Sequence, residues 1–204
     1  DEYKVMGLAA FARNHDVGEL EQLMDQVLRV GSLRPYTLAE DYFDFFRGRD
    51  QMWSRKLEAL LGSKREPDAP IEPRHENLAL ATQNQLERAL LALSRRAREL
   101  LPQEPNLCLA GGVALNCVAN ERLIREAGWS EVFIPPCPHD SGAALGAAYL
   151  MQQQKRPGQA TPRLQRANLG SSLRAVKAKV PQGKSWRQTN FTGSALSERV
   201  ADHL

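Results

Sequence analysis

A chain of 204 residues, 42% hydrophobic and 25% charged, has room for one ordinary domain or for one domain and part of a second. No apolar run is long enough to cross a bilayer, so no membrane partner is expected. A net charge of +3 is too mild to support nucleic-acid binding on its own.

The chain opens on Asp1 instead of methionine and is read as a piece of a longer polypeptide. Residues 1–13 are apolar and contain a glycine. Leu20, Leu23, Met24, Val27 and Leu28 follow helical spacing, with Gly31 as the stop. Thr37 and Glu40 have the spacing of a capping box ahead of an aromatic packing cluster, Tyr42, Phe43, Phe45 and Phe46. A short helix is expected through Met52, Leu57, Leu60 and Leu61, ending at Gly62. Residues 63–73 read as a charged, proline-rich loop, and Arg74 and His75 after it lead into the next helix. Asn77 is the expected cap of that long helix, whose apolar stripe is Leu86, Leu90, Leu93, Ala97 and Leu100. Gln83, Gln85 and Glu87 lie on it, and one of them is a candidate to face a cleft.

Two strand-to-helix units follow. Residues 107–123, LCLAGGVALNCVANERL, read as a buried strand, a glycine pair and a helix behind it, which runs from about Asn116 to Ala127 and is stopped by Gly128. The second unit has a strand at 131–134, a turn held by Pro135, Pro136 and Pro138, then Asp140 and a glycine-bearing helix from Ser141 to about Gln152. Strand–helix–strand–helix order argues for an α/β fold with parallel strands. In such sheets ligands sit at the carboxyl ends of strands, where both turns lie. A glycine pair there leaves backbone N–H groups open to a phosphate. A close strand–helix contact would also call for Gly111 and Gly112. Asn116 could meet a ligand or cap its own helix. Asp140 could bind a cation or serve as an N-cap. Cys137 and His139 beside it do not form a zinc signature. Ser141, His139 and Asp140 lie too close in sequence to converge as a triad. Trp53, Trp129 and Trp186 are read as packing residues. Cys108, Cys117 and Cys137 form no CxxC pair. Their odd number and apolar neighbours point to free thiols in a reducing, cytoplasmic setting.

Taken together, DEYKVMGLA at the start, RHENLALATQNQLERALL, NLCLAGGVALNCVAN and residues 135–148 resemble the NodU/CmcH family of carbamoyltransferases, in order from Asp1 to about Leu150, and the NLG at Asn168 is similar to the family's as well. The resemblance implies an actin/Hsp70-like ATPase (ribonuclease H-like) fold, present here as a partial domain. It implies residues 1–152 as the later part of the family's N-terminal domain and 195–204 as the start of a truncated YrdC-like domain, while the shift to basic composition after Gln152 marks 153–194 as a linker or crossing segment. It implies an enzyme that combines carbamoyl phosphate with ATP into a carbamoyl-adenylate and passes the carbamoyl group to a hydroxyl of a small molecule or sugar. ATP and a divalent metal, iron or magnesium, are the implied cofactors. A homodimer is an open assembly, and nucleic acid is not an expected partner.

By position in the motifs, Gly111, Gly112 and Asn116 match the family's nucleotide-phosphate segment. Lys4 and Gly7 match its KVMG segment beside the nucleotide, Glu2 matches a ribose-facing position, and Asp140 matches its later metal-binding aspartate. His15 and His75 do not show the spacing of the family's metal-binding histidine pair, and residues 10–14 read AFARN where the family carries a proline–tyrosine–glycine turn. This segment is therefore expected not to catalyse transfer alone. The alternatives are threonylcarbamoyl transfer to tRNA and a nucleotide-binding module without turnover.

Overall fold

The computed structural model describes residues 2–12, 17–31, 34–45 and 51–160. They fall within one compact unit of mixed α/β structure, mostly helical with small sheets. Helices α1 (Glu2–Ala9) and α2 (Gly18–Val27) are followed by a hairpin of β1 (Leu28–Val30) and β2 (Tyr36–Leu38). A 3-10 turn over Glu40–Tyr42 leads to α3 (Arg55–Leu61) and the long α4 (Pro73–Leu100). Then come β3 (Asn106–Cys108), α5 (Cys117–Glu126), β4 (Glu131–Phe133) and α6 (Gly142–Lys155). Strands β3 and β4 pair in parallel, with Leu107 opposite Val132, as the strand–helix order predicts.

Helix α4, 28 residues and so ~42 Å long, is the hub of the unit. Helices α1, α2 and α5 and both strands of the hairpin pack on it. Partners on several sides bury more than one stripe. Ala79, Ala81, Gln83, Gln85 and Glu87 are buried, whereas Leu93 and Leu100 of the expected stripe are 43% and 62% exposed. The polar residues inside have partners. Gln85 donates to Asp25 Oδ1 (2.8 Å) and to the Leu28 carbonyl, and Asn84 donates to Glu21 Oε1 (2.7 Å). These bonds tie α4 to α2 and β1 at a point where an unpaired amide would cost stability.

Two apolar clusters flank the hub. Val17, Met24 and Ala81 form one, with Leu20, Leu61, Leu78 and Leu80 against it. Leu90, Ala119 and Leu123 form the other, with Leu107, Leu109, Ala127 and Val132 packed on it. The second seats α5 between α4 and the parallel strands. Trp129 closes its far end, its indole N–H donating to Ser94 Oγ at 2.7 Å under the Arg98 guanidinium. Trp53 donates to Glu58 Oε1 at 2.8 Å, while Trp186 lies outside the described residues.

Several local expectations are corrected. Helix α1 forms within the stretch read only as apolar. Leu28 belongs to β1 and not to α2, because it pairs with Leu38. Thr37 caps nothing: it sits in β2 opposite Arg29, and the 3-10 turn after it has no side-chain cap. Phe43 stacks on Phe45 at 4.8 Å between ring centroids; Phe46 lies outside the described residues. Met52 lies outside α3 and is exposed. Helix α4 starts ahead of Asn77, with Pro73 in its first turn and Glu72 as N-cap. There His75 Nδ1 accepts the Glu72 N–H at 2.9 Å. Helix α6 continues three residues past Gln152, to Lys155. His15, the last ten residues and all but the first eight of 153–194 lie outside the described residues.

Candidate functional site

Both strand-to-helix turns sit at the carboxyl ends of the parallel pair. Pairing extends one bond past β3, where the Leu109 N–H donates to the Phe133 carbonyl at 2.9 Å. Gly111 then turns the chain with φ +109°, a conformation that disfavours any side chain. Its N–H donates to the Pro138 carbonyl at 2.7 Å, joining the first turn to the second. A 3-10 turn over Gly112–Leu115 follows, and only then α5. Helix α5 begins where expected, next to Asn116, and the 3-10 turn fills the space between the glycine pair and its N-terminus. A Cβ built on Gly111 or Gly112 would meet no atom of the described residues within 4 Å. Close strand–helix packing is thus not what either glycine serves. The backbone of Gly112 faces open space without a dihedral that would require glycine.

Asn116 does cap α5. Its Oδ1 accepts the Ala119 N–H at 3.0 Å. Its amide also pairs reciprocally with buried Gln83: Asn116 Nδ2 donates to Gln83 Oε1 (2.8 Å), and Gln83 Nε2 donates to Asn116 Oδ1 (3.1 Å). Gln83 Nε2 also donates to Glu87 Oε1 at 2.8 Å, and Glu87 Oε2 accepts from Arg122 Nη1 at 2.9 Å. Hydrogen bonding to Glu87 raises the Arg122 pKa above its ordinary value. Hydrogen bonding to Arg122 holds the Glu126 carboxyl below its own. Of the three α4 candidates, Gln83 and Glu87 connect to the turn, and Gln85 faces α2. Sequence reading passed over Arg122 and Asn120. Asn120 Nδ2 donates to the Ala114 carbonyl at 2.8 Å, which holds the 3-10 turn onto α5. The signal for Asn120 was its place one helical turn after Asn116.

In the second turn Gly142 donates to the His139 carbonyl (2.8 Å) and Ala143 to the Asp140 carbonyl (3.0 Å). Asp140 is exposed, and no side chain caps α6, so the N-cap reading of Asp140 does not hold. Ser141 Oγ lies 3.1 Å from His139 Nε2, both exposed. No group of three His, Cys, Asp or Glu side chains able to hold a metal occurs among the described residues. Asp140 is thus one candidate ligand and not a set. Glu2, Lys4 and Gly7 are exposed on α1, which connects to the turns through α4. The three cysteines are free thiols; Cys108 and Cys117 are exposed, contrary to the apolar settings expected for them. A separate cavity of about 270 Å³ lies between α3 and the start of α4, lined by Trp53, Leu57, Leu61, Arg74, His75 and Leu78 and by no residue of either turn.

The family model described as Carbamoyltransferase N-terminus matches residues 1–149, which include both turns and the α4 network. The chain belongs to this carbamoyltransferase family. Among its curated relatives, an uncharacterized protein of Synechocystis is 36% identical over 84% of this chain and 27% of its own length. The nodulation protein NolNO of Sinorhizobium fredii is 31% identical over 99% of this chain and 28% of its own. The 3'-hydroxymethylcephem-O-carbamoyltransferase of Streptomyces clavuligerus is 28% identical over 98% of this chain and 34% of its own. The chain thus spans between about a quarter and a third of these carbamoyltransferase-family relatives. No helix of the described residues is long and apolar enough to cross a membrane.

Proposed function

We propose that the chain is part of a cytoplasmic, ATP-dependent O-carbamoyltransferase. In this reading a carbamoyl group moves from carbamoyl phosphate, by way of a carbamoyl-adenylate, to a hydroxyl of a small molecule or sugar. The β3–α5–β4–α6 segment belongs to an actin/Hsp70-like ATPase domain. Support comes from the family membership and from a relative whose name specifies O-carbamoylation of a hydroxymethyl group. The observation that carries the reading is the open backbone at Gly112, at the carboxyl end of a parallel strand, with no packing reason for glycine. That surface leaves room for a phosphate; with the Gly111 N–H committed to Pro138, the donors in this reading are the peptide N–H groups that follow it in the turn.

Gly111, Gly112 and Asn116 hold the nucleotide, with Glu2, Lys4 and Gly7 of α1 contributing along α4. Asp140 supplies one oxygen ligand to a divalent metal, iron or magnesium, with the other ligands outside the described residues. Such a metal would supply charge to polarise a carbonyl or acidify a hydroxyl. Asp140→Asn in the full-length protein is expected to lower its metal content; unaltered content removes Asp140 from this role.

Full-length protein given ATP, labelled carbamoyl phosphate and a panel of hydroxyl compounds should transfer label to one of them only with ATP present. Gly112→Val should raise the KM for ATP about tenfold or more, the equivalent of ~1.4 kcal/mol, with little change in unfolding temperature. Folded protein that neither binds ATP nor consumes carbamoyl phosphate overturns the reading.

A further inference from the structure

The α4–α5 network carries a polarity that determines what Asn116 can offer a ligand. It begins at Glu87, 7% exposed and paired with Arg122. An ionised carboxylate only accepts hydrogen bonds, so the group facing Glu87 Oε1 has to be the NH2 side of Gln83. That places Gln83 Oε1 against Asn116 Nδ2. Asn116 Oδ1 is then left for the Ala119 N–H and for the second hydrogen of Gln83 Nε2. Both hydrogens of Gln83 are committed, and Asn116 Oδ1 already accepts twice. One N–H of half-buried Asn116 remains uncommitted among the described residues.

We propose that Gln83, oriented by Glu87 and Arg122, is a positioning residue that fixes Asn116 as a hydrogen-bond donor to an acceptor atom of the ligand, such as a phosphate or ribose oxygen. The proposal rests on the nucleotide reading above. Neither Gln83 nor Glu87 touches the ligand in it.

The polarity can be reversed without changing shape. In Glu87→Gln, the new amide turns its oxygen to Arg122 and its NH2 to Gln83. Gln83 flips to accept, its NH2 now faces Asn116, and Asn116 flips in turn. The α5 cap and the ligand-facing donor are lost together. Gln83→Met instead removes the orienting amide at similar volume and leaves the Glu87–Arg122 pair in place.

The experiment uses full-length protein and ATP. Steady-state kinetics separate KM for ATP from kcat, and hydrogen exchange at the Ala119 amide reads the cap. Glu87→Gln is expected to raise KM for ATP about tenfold and to speed Ala119 exchange, with kcat changed far less. Gln83→Met is expected to raise KM for ATP in the same direction, by about threefold or more, with kcat changed far less. A purely structural role would leave KM unmoved in a folded Glu87→Gln protein, and that result overturns the proposal. So does a folded Gln83→Met protein with the wild-type KM for ATP. Wild-type protein that binds no ATP overturns the nucleotide reading and this proposal with it, whereas wild-type binding with an unaltered Glu87→Gln overturns the positioning alone.

Discussion

Gly142→Ala is expected to destabilise the full-length protein by about 3 kcal/mol, read from denaturant unfolding midpoints. A Cβ at Gly142 would fall on the Cys137 carbonyl oxygen. That oxygen belongs to backbone, so no side-chain rotation relieves the overlap. The Cys137–Gly142 turn has to open, and with it the bonds from Gly142 to His139 and from Ala143 to Asp140. Gly146, one turn further along the same helix, provides the contrast. A Cβ there meets nothing within 4 Å, so Gly146→Ala should be neutral or stabilising by about 0.5–1 kcal/mol. Equal effects at the two positions would show that the turn is not closed on Cys137.

Leu123→Ala should cost about 3 kcal/mol in the same measurement. Leu123 is 1% exposed and packs with Leu90 of α4, Ala119 of its own helix and Leu107 and Val132 of the two strands. Truncation leaves a cavity where α5 meets α4 and both strands, and the surrounding backbone cannot close it without moving α5. Since α5 carries Asn116 at its N-cap, the KM for ATP should rise as well. A loss below 1 kcal/mol would mean that the cluster does not seat the helix.

Legibility in the sequence followed the range of the interactions. The β3–turn–α5–β4–turn–α6 order could be read because each part carries its own punctuation: Asn116 at the α5 cap, Gly128 at its end and three prolines before α6. Thr37 could not be placed, because its partner Arg29 lies across a hairpin and a local three-residue spacing mimics a cap. The cap of α4 was read at Asn77 because propensity favours asparagine. In the structure Pro73 and the Glu72–His75 box start the helix earlier. The α4 stripe was misjudged because periodicity assumes one buried face, and this helix has neighbours on several. At the candidate site, the glycines and Asn116 stood out by residue type. The link from Asn116 through Gln83 and Glu87 to Arg122 joins residues up to 35 positions apart, and no local pattern announces it.

The bond from the Gly111 N–H to the Pro138 carbonyl makes the two loops mechanically one piece. Whatever steadies one also steadies the other. If the glycine bend and Asp140 take the proposed nucleotide and cation, the two occupancies would be linked through this bond, each changing the other by the same factor. Titrating anion and cation, each with and without the other, reads that factor from both directions; a value of one would mean that the shared bond transmits nothing.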